Sequence, residues 1–193
     1  MSLYVDPPFS LGQTLGVTSA TDGENWVGVV KTFPDVNPRT GKVRSNRVKT
    51  CVAVRNVATV PLAGKKLVAY KNGKITEVDG YTTDVTVTVA GVVDEYLPAT
   101  GVAVNDVFWL TVDGQTEVTL GPAQTCALGT TLVAYTGAAS TSSLTDQAAT
   151  SGASGGRAHT SANTLLLPGH VGTALSAGNA GTNVLASVKI LRS

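Results

Sequence analysis

Apolar and polar positions alternate with a period of two along much of this chain, the pattern of strands that turn one face to a core. In VKTCVAVRNV, Val48, Thr50, Val52 and Val54 share one face, and Lys49, Cys51, Ala53 and Arg55 share the other. DVTVTVAG repeats the pattern, with Val85, Val87 and Val89 opposite Thr86 and Thr88. The first strand is expected at WVGVVK, residues 26–31, with FPDVNPRTGK after it as a loop because of its two prolines and TG pair. LVAYKNGKITEV predicts a hairpin turning at Asn72-Gly73, a pair suited to the positive φ angles of a type I′ turn. VFWLTVDGQTEVTL gives the strongest hairpin signal, with Asp113-Gly114 as its turn. On its first strand Val107, Trp109 and Thr111 oppose Phe108, Leu110 and Val112, so both faces are largely apolar. Such a strand is covered on both sides, by a closed barrel or by a neighbouring subunit. Phe108, Trp109 and Leu110 are therefore the candidates for a subunit interface. TLVAY at 131–135, HVGTAL at 170–175 and a closing VLASVKIL at 184–191 add further strands.

Two stretches break the pattern. Residues 1–22 carry Pro7, Pro8, Gly12 and Gly16 with little apolar periodicity, and they read as an extended N-terminal arm. Residues 136–163 are crowded with Gly, Ser, Thr and Ala, too few bulky side chains to offset the entropy of ordering them, so a long flexible loop is expected. No segment has a useful helical period, and no long repeat is visible. The chain of 193 residues is thus expected to form one all-β domain over 23–193, a small antiparallel barrel or sandwich. No window of about 18 apolar residues suits a membrane span, and MSLYVDPPFS lacks the features of a secretory signal. Cys51 and Cys126 stand far apart, form no metal-binding spacing, and read as small buried hydrophobes.

Charge sharpens this picture. The formal net charge is only +1, but ten cations and no acid lie between Val36 and Thr76: Arg39, Lys42, Arg44, Arg47, Lys49, Arg55, Lys65, Lys66, Lys71 and Lys74. Elsewhere four cations face thirteen acids, a net of −9. The molecule is expected to have one positive region and a negative remainder.

Candidate chemistry is thin. His159 and His170 sit in no metal-ligand pattern. The adjacent Asp94 and Glu95 would point to opposite faces of a strand, which does not suit a cooperating pair of carboxylates. Asp79, Asp106 and Asp113 fall at expected turns. The glycine-rich SGASGG and AGNAG lack the lysine or following helix that would hold phosphate. An enzyme is the least favoured class, and no cofactor is implied. Carbohydrate binding, which relies on exposed aromatic platforms, is disfavoured because Trp26 and Trp109 fall inside expected strands.

For the basic run DVNPRTGKVRSNRVKTCVAVRN, three readings compete: a solvated charged face, a phosphate backbone, or a protein surface. The run has no interleaved aromatics and no recognition helix, and it accompanies an acidic remainder, all of which weigh against nucleic acid. Arg39, Lys42, Arg44 and Arg47, on an exposed loop NPRTGKVRSNR, are the candidates for contact with a protein partner. VKTCVAVRN is the strand anchoring that loop. Exposed ion pairs are individually weak, so firm binding would need many copies.

The phrases NPRTGKVRSNR…VAVRNV, GVAVNDVFWLTVDGQTEV and GHVGTALSAGNAGTNVLASVKIL together resemble the head decoration (cement) proteins of tailed bacteriophages, over most of the chain from about residue 24. The resemblance implies a compact β-domain on the capsid exterior. It further implies a homo-oligomer, trimer favoured over dimer, that contacts the major capsid protein and reinforces the shell against the pressure of the packaged DNA. An N-terminal arm reaching neighbouring subunits would fit residues 1–22. A fibre domain binding a receptor or glycan on the virion surface is the alternative. Synthesis in the host cytoplasm, with no membrane contact and no direct nucleic-acid contact, completes the expectation.

Overall fold

The computed structural model describes residues 9–16, 24–71, 73–80, 89–121, 125–134, 148–150 and 170–190. The strands are β1 (Thr14–Leu15), β2 (Val30–Val36), β3 (Val43–Asn56), β4 (Leu67–Lys71), β5 (Lys74–Asp79), β6 (Val89–Val93), β7 (Val107–Thr119), β8 (Thr131–Ala134), β9 (Ala148–Thr150), β10 (His170–Ala174) and β11 (Asn183–Lys189). A single 3-10 turn, Glu24–Trp26, is the one helical element among the described residues. The all-β reading holds. Among the described residues all strand pairings are antiparallel except β3 with β5.

Hydrogen-bonded neighbours run β3–β5–β4–β6–β7 and back to β3, a ring of five strands. One face of this ring gathers Val52, Val54, Val68, Val78, Ala90, Val93, Phe108, Leu110 and Val112 into a core. A second core lies where β7 continues onto β11, β10 and β8, with Val118, Leu120, Leu132, Val171, Val184, Ala186 and Val188. A third packs Phe9, Leu11 and Phe33 over Cys51, Ala53, Val107 and Trp109. The two long strands β3 and β7 therefore contribute both their faces to cores. This is why the first half of β7 reads as apolar on both sides.

The second half of β7 corrects the sequence reading. Asp113-Gly114 is not a hairpin turn; β7 runs straight through it. Before it, β7 pairs with β3, as in Val52↔Leu110 and Val54↔Phe108, and after it with β11, as in Val184↔Val118. Gly114 has φ 107°, so the positive angle that the Asp-Gly pair signals is present, but it bends one strand as it changes partners. A Cβ at Gly114 would sit 2.7 Å from Lys49 Cα and 2.8 Å from the Val48 carbonyl oxygen, so only glycine allows β7 to cross β3 this closely.

Other boundaries also move. The strand expected at 26–31 is β2, which starts at Val30 and takes in FPDV; Pro34 is tolerated because β2 is the edge of the sheet. β3 begins at Val43, so VRSNR is strand and the loop shrinks to residues 37–42. Gly73, with φ 67°, links β4 to β5 as expected, while Asn72 lies outside the described residues. Val85, Thr86, Val87 and Thr88 also lie outside them; Val89 opens β6, which is buried along its length.

The expected arm is firmly packed where it is described. Phe9 and Leu11 are buried, and β1 pairs Thr14↔Phe108 and Leu15↔Val107. Apolar spacing too short to register as a period hid this segment. Residues 1–8 and 17–22 lie outside the described residues. Within the expected flexible loop 136–163, residues 148–150 form β9 against β8, and the remainder, with His159, lies outside the described residues. Cys51 and Cys126 are free and buried, as expected; burial pushes the Cys51 thiol up to about 12.

Phe108, Trp109 and Leu110 are 0% exposed within a single chain. Their expected role at a subunit interface is therefore corrected: Phe108 and Leu110 face the ring core, and the chain's own residues 9–15 and Phe33 cover Trp109. Of the two covers that the sequence allowed, the chain supplies its own.

Candidate functional site

The basic run folds around two acids, Asp35 at its own start and Glu95 from a distant part of the chain. β2 and β3 pair regularly from Val30↔Val52 to Pro34↔Val48, and the next pair is Val36↔Val43. Asp35 of β2 thus faces the four residues 44–47 of β3 across a wide bulge. The bulge overrides the two-residue alternation and turns Arg44 and Ser45 onto Asp35. Arg44 Nη2 donates to Asp35 Oδ1 at 2.7 Å, Arg44 Nε donates to the same carboxylate at 3.0 and 3.2 Å, and Ser45 Oγ donates to Asp35 Oδ2 at 2.7 Å.

A second carboxylate arrives from the turn after β6. Arg44 Nη1 and Nη2 donate to Glu95 Oε2 and Oε1, both at 2.8 Å, and Nη2 also donates to the Gln115 carbonyl at 2.7 Å. Lys49 Nζ donates to Glu95 Oε1 at 2.6 Å, lies 4.0 Å from Asp35 Oδ1, and stands 5.0 Å from the centre of the Tyr96 ring. The Glu117 backbone N–H donates to Glu95 Oε2 at 3.1 Å. Two cations and two carboxylates thus cancel, and each of the four has at least one oppositely charged partner at hydrogen-bond distance.

Burial here inverts expectation. The Lys49 side chain is 1% exposed, whereas the adjacent Val48 is 59% exposed. Nothing local in the sequence announces Glu95 as the partner of Lys49. Asp94 and Glu95 are both buried just past the end of β6, not on a strand, and serve different partners: Asp94 accepts from the backbone N–H groups of Gly12 and Tyr96 and so ties the N-terminal segment to the core.

Burial alone would raise the pKa of Asp35 and Glu95, but hydrogen bonds and charge from Arg44 and Lys49 outweigh it and hold both below the ordinary carboxylate range. Burial likewise opposes the charge on Arg44, yet its bonds to Glu95 and Asp35 raise its pKa further. Burial dominates at Asp94 and raises its pKa, and burial together with the charge of Glu95 pushes Tyr96 up to about 12. Because the folded pKa of Glu95 is lowered, its contribution to stability is present above its unfolded value and is lost as pH falls through the folded one. Glu95→Gln is therefore expected to cost about 3 kcal/mol at pH 7. The difference from the unsubstituted chain should shrink steadily below pH 4.5. Urea unfolding of both proteins at pH 7 and pH 3 checks this.

The rest of the basic window divides in two. Lys65 pairs with Glu117 at 2.6 Å, Lys74 with Glu77 at 2.7 Å and Lys71 with Asp79, so acids from outside the window neutralise much of it. Arg39, Lys42 and Arg47 are exposed and form no ion pair among the described residues. The first two stand on or beside the 37–42 turn. That turn is stiff: Asn37 Oδ1 accepts from the Arg39 and Thr40 N–H groups, Gly41 takes φ 69°, and the Arg39 Nη2 donates to the Tyr96 carbonyl at 2.7 Å. An open groove of about 560 Å³ runs beneath it, lined in part by Arg39, Lys42, Arg44, Lys65, Tyr96 and Glu117.

Of the four cations singled out from sequence, Arg39 and Lys42 line this groove, Arg47 lies on the same hairpin outside the lining, and Arg44 is an internal member of the ion cluster. The role of Arg44 as a free contact residue is thereby corrected. Lys49 and its acids, which sequence reasoning missed, left one trace: an acidic pair, Asp94-Glu95, directly after the wholly apolar run VAGVV. Among the described residues no group of three or more His, Cys, Asp or Glu side chains could hold a metal ion.

No family model matches the chain, and no curated protein matches it. Among solved structures it is similar to the N base of head fiber gp8.5 of bacteriophage phi29, at 14% identity and a TM-score of 0.43, over 74% of this chain and 99% of that one. A likeness so distant carries nothing about what this chain binds.

Proposed function

We propose that this chain is a non-enzymatic structural protein of a tailed-phage virion that binds the outer surface of the capsid and stabilises the shell. The observation that carries the reading is the division of the basic run. The fold neutralises Arg44, Lys49, Lys65, Lys71 and Lys74 with its own acids, and presents Arg39, Lys42 and Arg47 exposed on one hairpin, in no ion pair among the described residues. Three exposed cations on one short hairpin fit an acidic protein surface better than a nucleic acid, since the hairpin offers no exposed aromatic on which bases could stack. The sequence resemblance to capsid decoration proteins points the same way.

Each exposed ion pair contributes about 0–1 kcal/mol, so a single copy would hold weakly. A homo-oligomer, a trimer in the favoured form, engaging sites at the fixed spacing of a mature lattice would hold firmly through effective concentration. The major capsid protein is the expected partner and the virion exterior the expected location. Because Phe108, Trp109 and Leu110 are internal, contacts between copies would use other surfaces.

Electron microscopy of the protein mixed with its own mature capsids tests the reading. Regular added density on the outer surface is expected. Binding of the isolated protein to host cells, with bare capsids in the mixture, would favour the fibre-domain alternative instead.

A further inference from the structure

We propose that the groove under the 37–42 turn is a carboxylate-binding cleft that takes an Asp or Glu side chain from an acidic peptide segment of the partner. This deepens the capsid-surface reading and rests on it. The floor of the groove is the ion cluster, whose charges cancel, so the rim sets its sign. Arg39, Lys42 and Lys65 stand there against one acid, Glu117. The excess is two positive charges in a concave site, where field lines concentrate.

The rim already shows what fits it. Lys65 Nζ holds the Glu117 carboxylate at 2.6 Å with both side chains partly exposed, so a carboxylate occupies one of the three cations and two remain for a ligand. Arg39 uses one Nη2 hydrogen on the Tyr96 carbonyl, which fixes the guanidinium at the mouth and leaves its other N–H groups free to donate. Exposed Val43 and the side of Tyr96 give the methylenes of an entering side chain an apolar wall. The volume, about 560 Å³, suits a short peptide segment. A nucleic acid fits less well. The Tyr96 ring already faces Lys49 Nζ instead of offering a free stacking surface.

The test is a titration of the full chain, labelled for NMR, with a hexaglutamate peptide and, separately, with a thymidine oligonucleotide of equal charge. Saturable shifts are expected at residues 39–44, 95–96 and 117 with the peptide. Arg39→Glu and Lys42→Glu should each weaken peptide binding about tenfold. Arg47→Glu, a reversal of the same charge on the same hairpin but outside the lining, should weaken it less than about twofold. Equal weakening by all three reversals, no saturable binding, or tighter and more salt-sensitive binding of the oligonucleotide would overturn the cleft. Decoration of capsids by the unsubstituted protein, assayed in parallel, separates the two ideas: decoration without peptide binding removes the cleft alone, and peptide binding without decoration removes the capsid partner.

Discussion

Replacing Arg44 by alanine is expected to lower the unfolding free energy by about 3–5 kcal/mol, although the residue lies in a run of cations that looks like surface. The guanidinium satisfies two buried carboxylates and a backbone carbonyl at once. Removing it leaves the two buried carboxylates of Asp35 and Glu95 with only Lys49 to offset two negative charges. Arg44→Lys should recover little of this, because an ammonium cannot bridge both carboxylates in the planar, forked geometry. Lys42→Ala, two residues away and exposed, should cost less than about 0.5 kcal/mol. Urea unfolding of the three variants measures these differences directly. An Arg44→Ala protein as stable as Lys42→Ala would show that the cluster contributes no stability.

The second large effect concerns Trp109. It is fully buried, stacked on Phe9 at 4.6 Å between ring centroids, met edge-on by Phe33 at 5.1 Å, and its Nε1–H donates to the Phe9 carbonyl at 3.1 Å. Trp109→Ala removes the platform beneath the N-terminal segment and is expected to cost about 3–5 kcal/mol. The loss should be local as well as global. With the stack and the indole bond gone, residues 9–15 keep the two-residue strand β1 and the Gly12–Asp94 bond as their main ties. Their amides should exchange far faster than those of β3 under conditions where the rest of the fold persists. Uniform acceleration in both regions would mean that the segment opens only with the whole molecule.

The positions of these residues explain what the sequence could and could not convey. The strands at 48–56, 107–112, 131–134 and 184–189 were legible because β-branched alternation reports a face directly, and the Asn-Gly hairpin because its turn is local. Pairing partners were not legible. VFWLTV and QTEVTL look like two arms of a hairpin, since a strand carries no mark of which neighbour it will join. Here one half joins β3 and the other β11, and Gly114 supplies a bend. The burial of Lys49 was hidden for the same reason: its partner Glu95 lies 46 positions away, and a bulge opposite Asp35 brings Arg44 round to meet both carboxylates. Of the candidate contact residues, those whose surroundings are local, Arg39 and Lys42 on a turn rich in Pro, Thr and Gly, were placed correctly at the surface. Arg44, whose surroundings come from the neighbouring strand and two distant segments, was not.

The central claim is that one basic run divides into an internal half that holds the fold together and an external half that holds a partner. The measurement that tests it most directly is sedimentation of mature capsids with the Arg39→Glu/Lys42→Glu/Arg47→Glu protein, beside its thermal melting curve. The account predicts a melting temperature within a few degrees of the unsubstituted protein, as for exposed substitutions, and loss of co-sedimentation. Full decoration of capsids by the triply reversed protein at an unchanged melting temperature would contradict it.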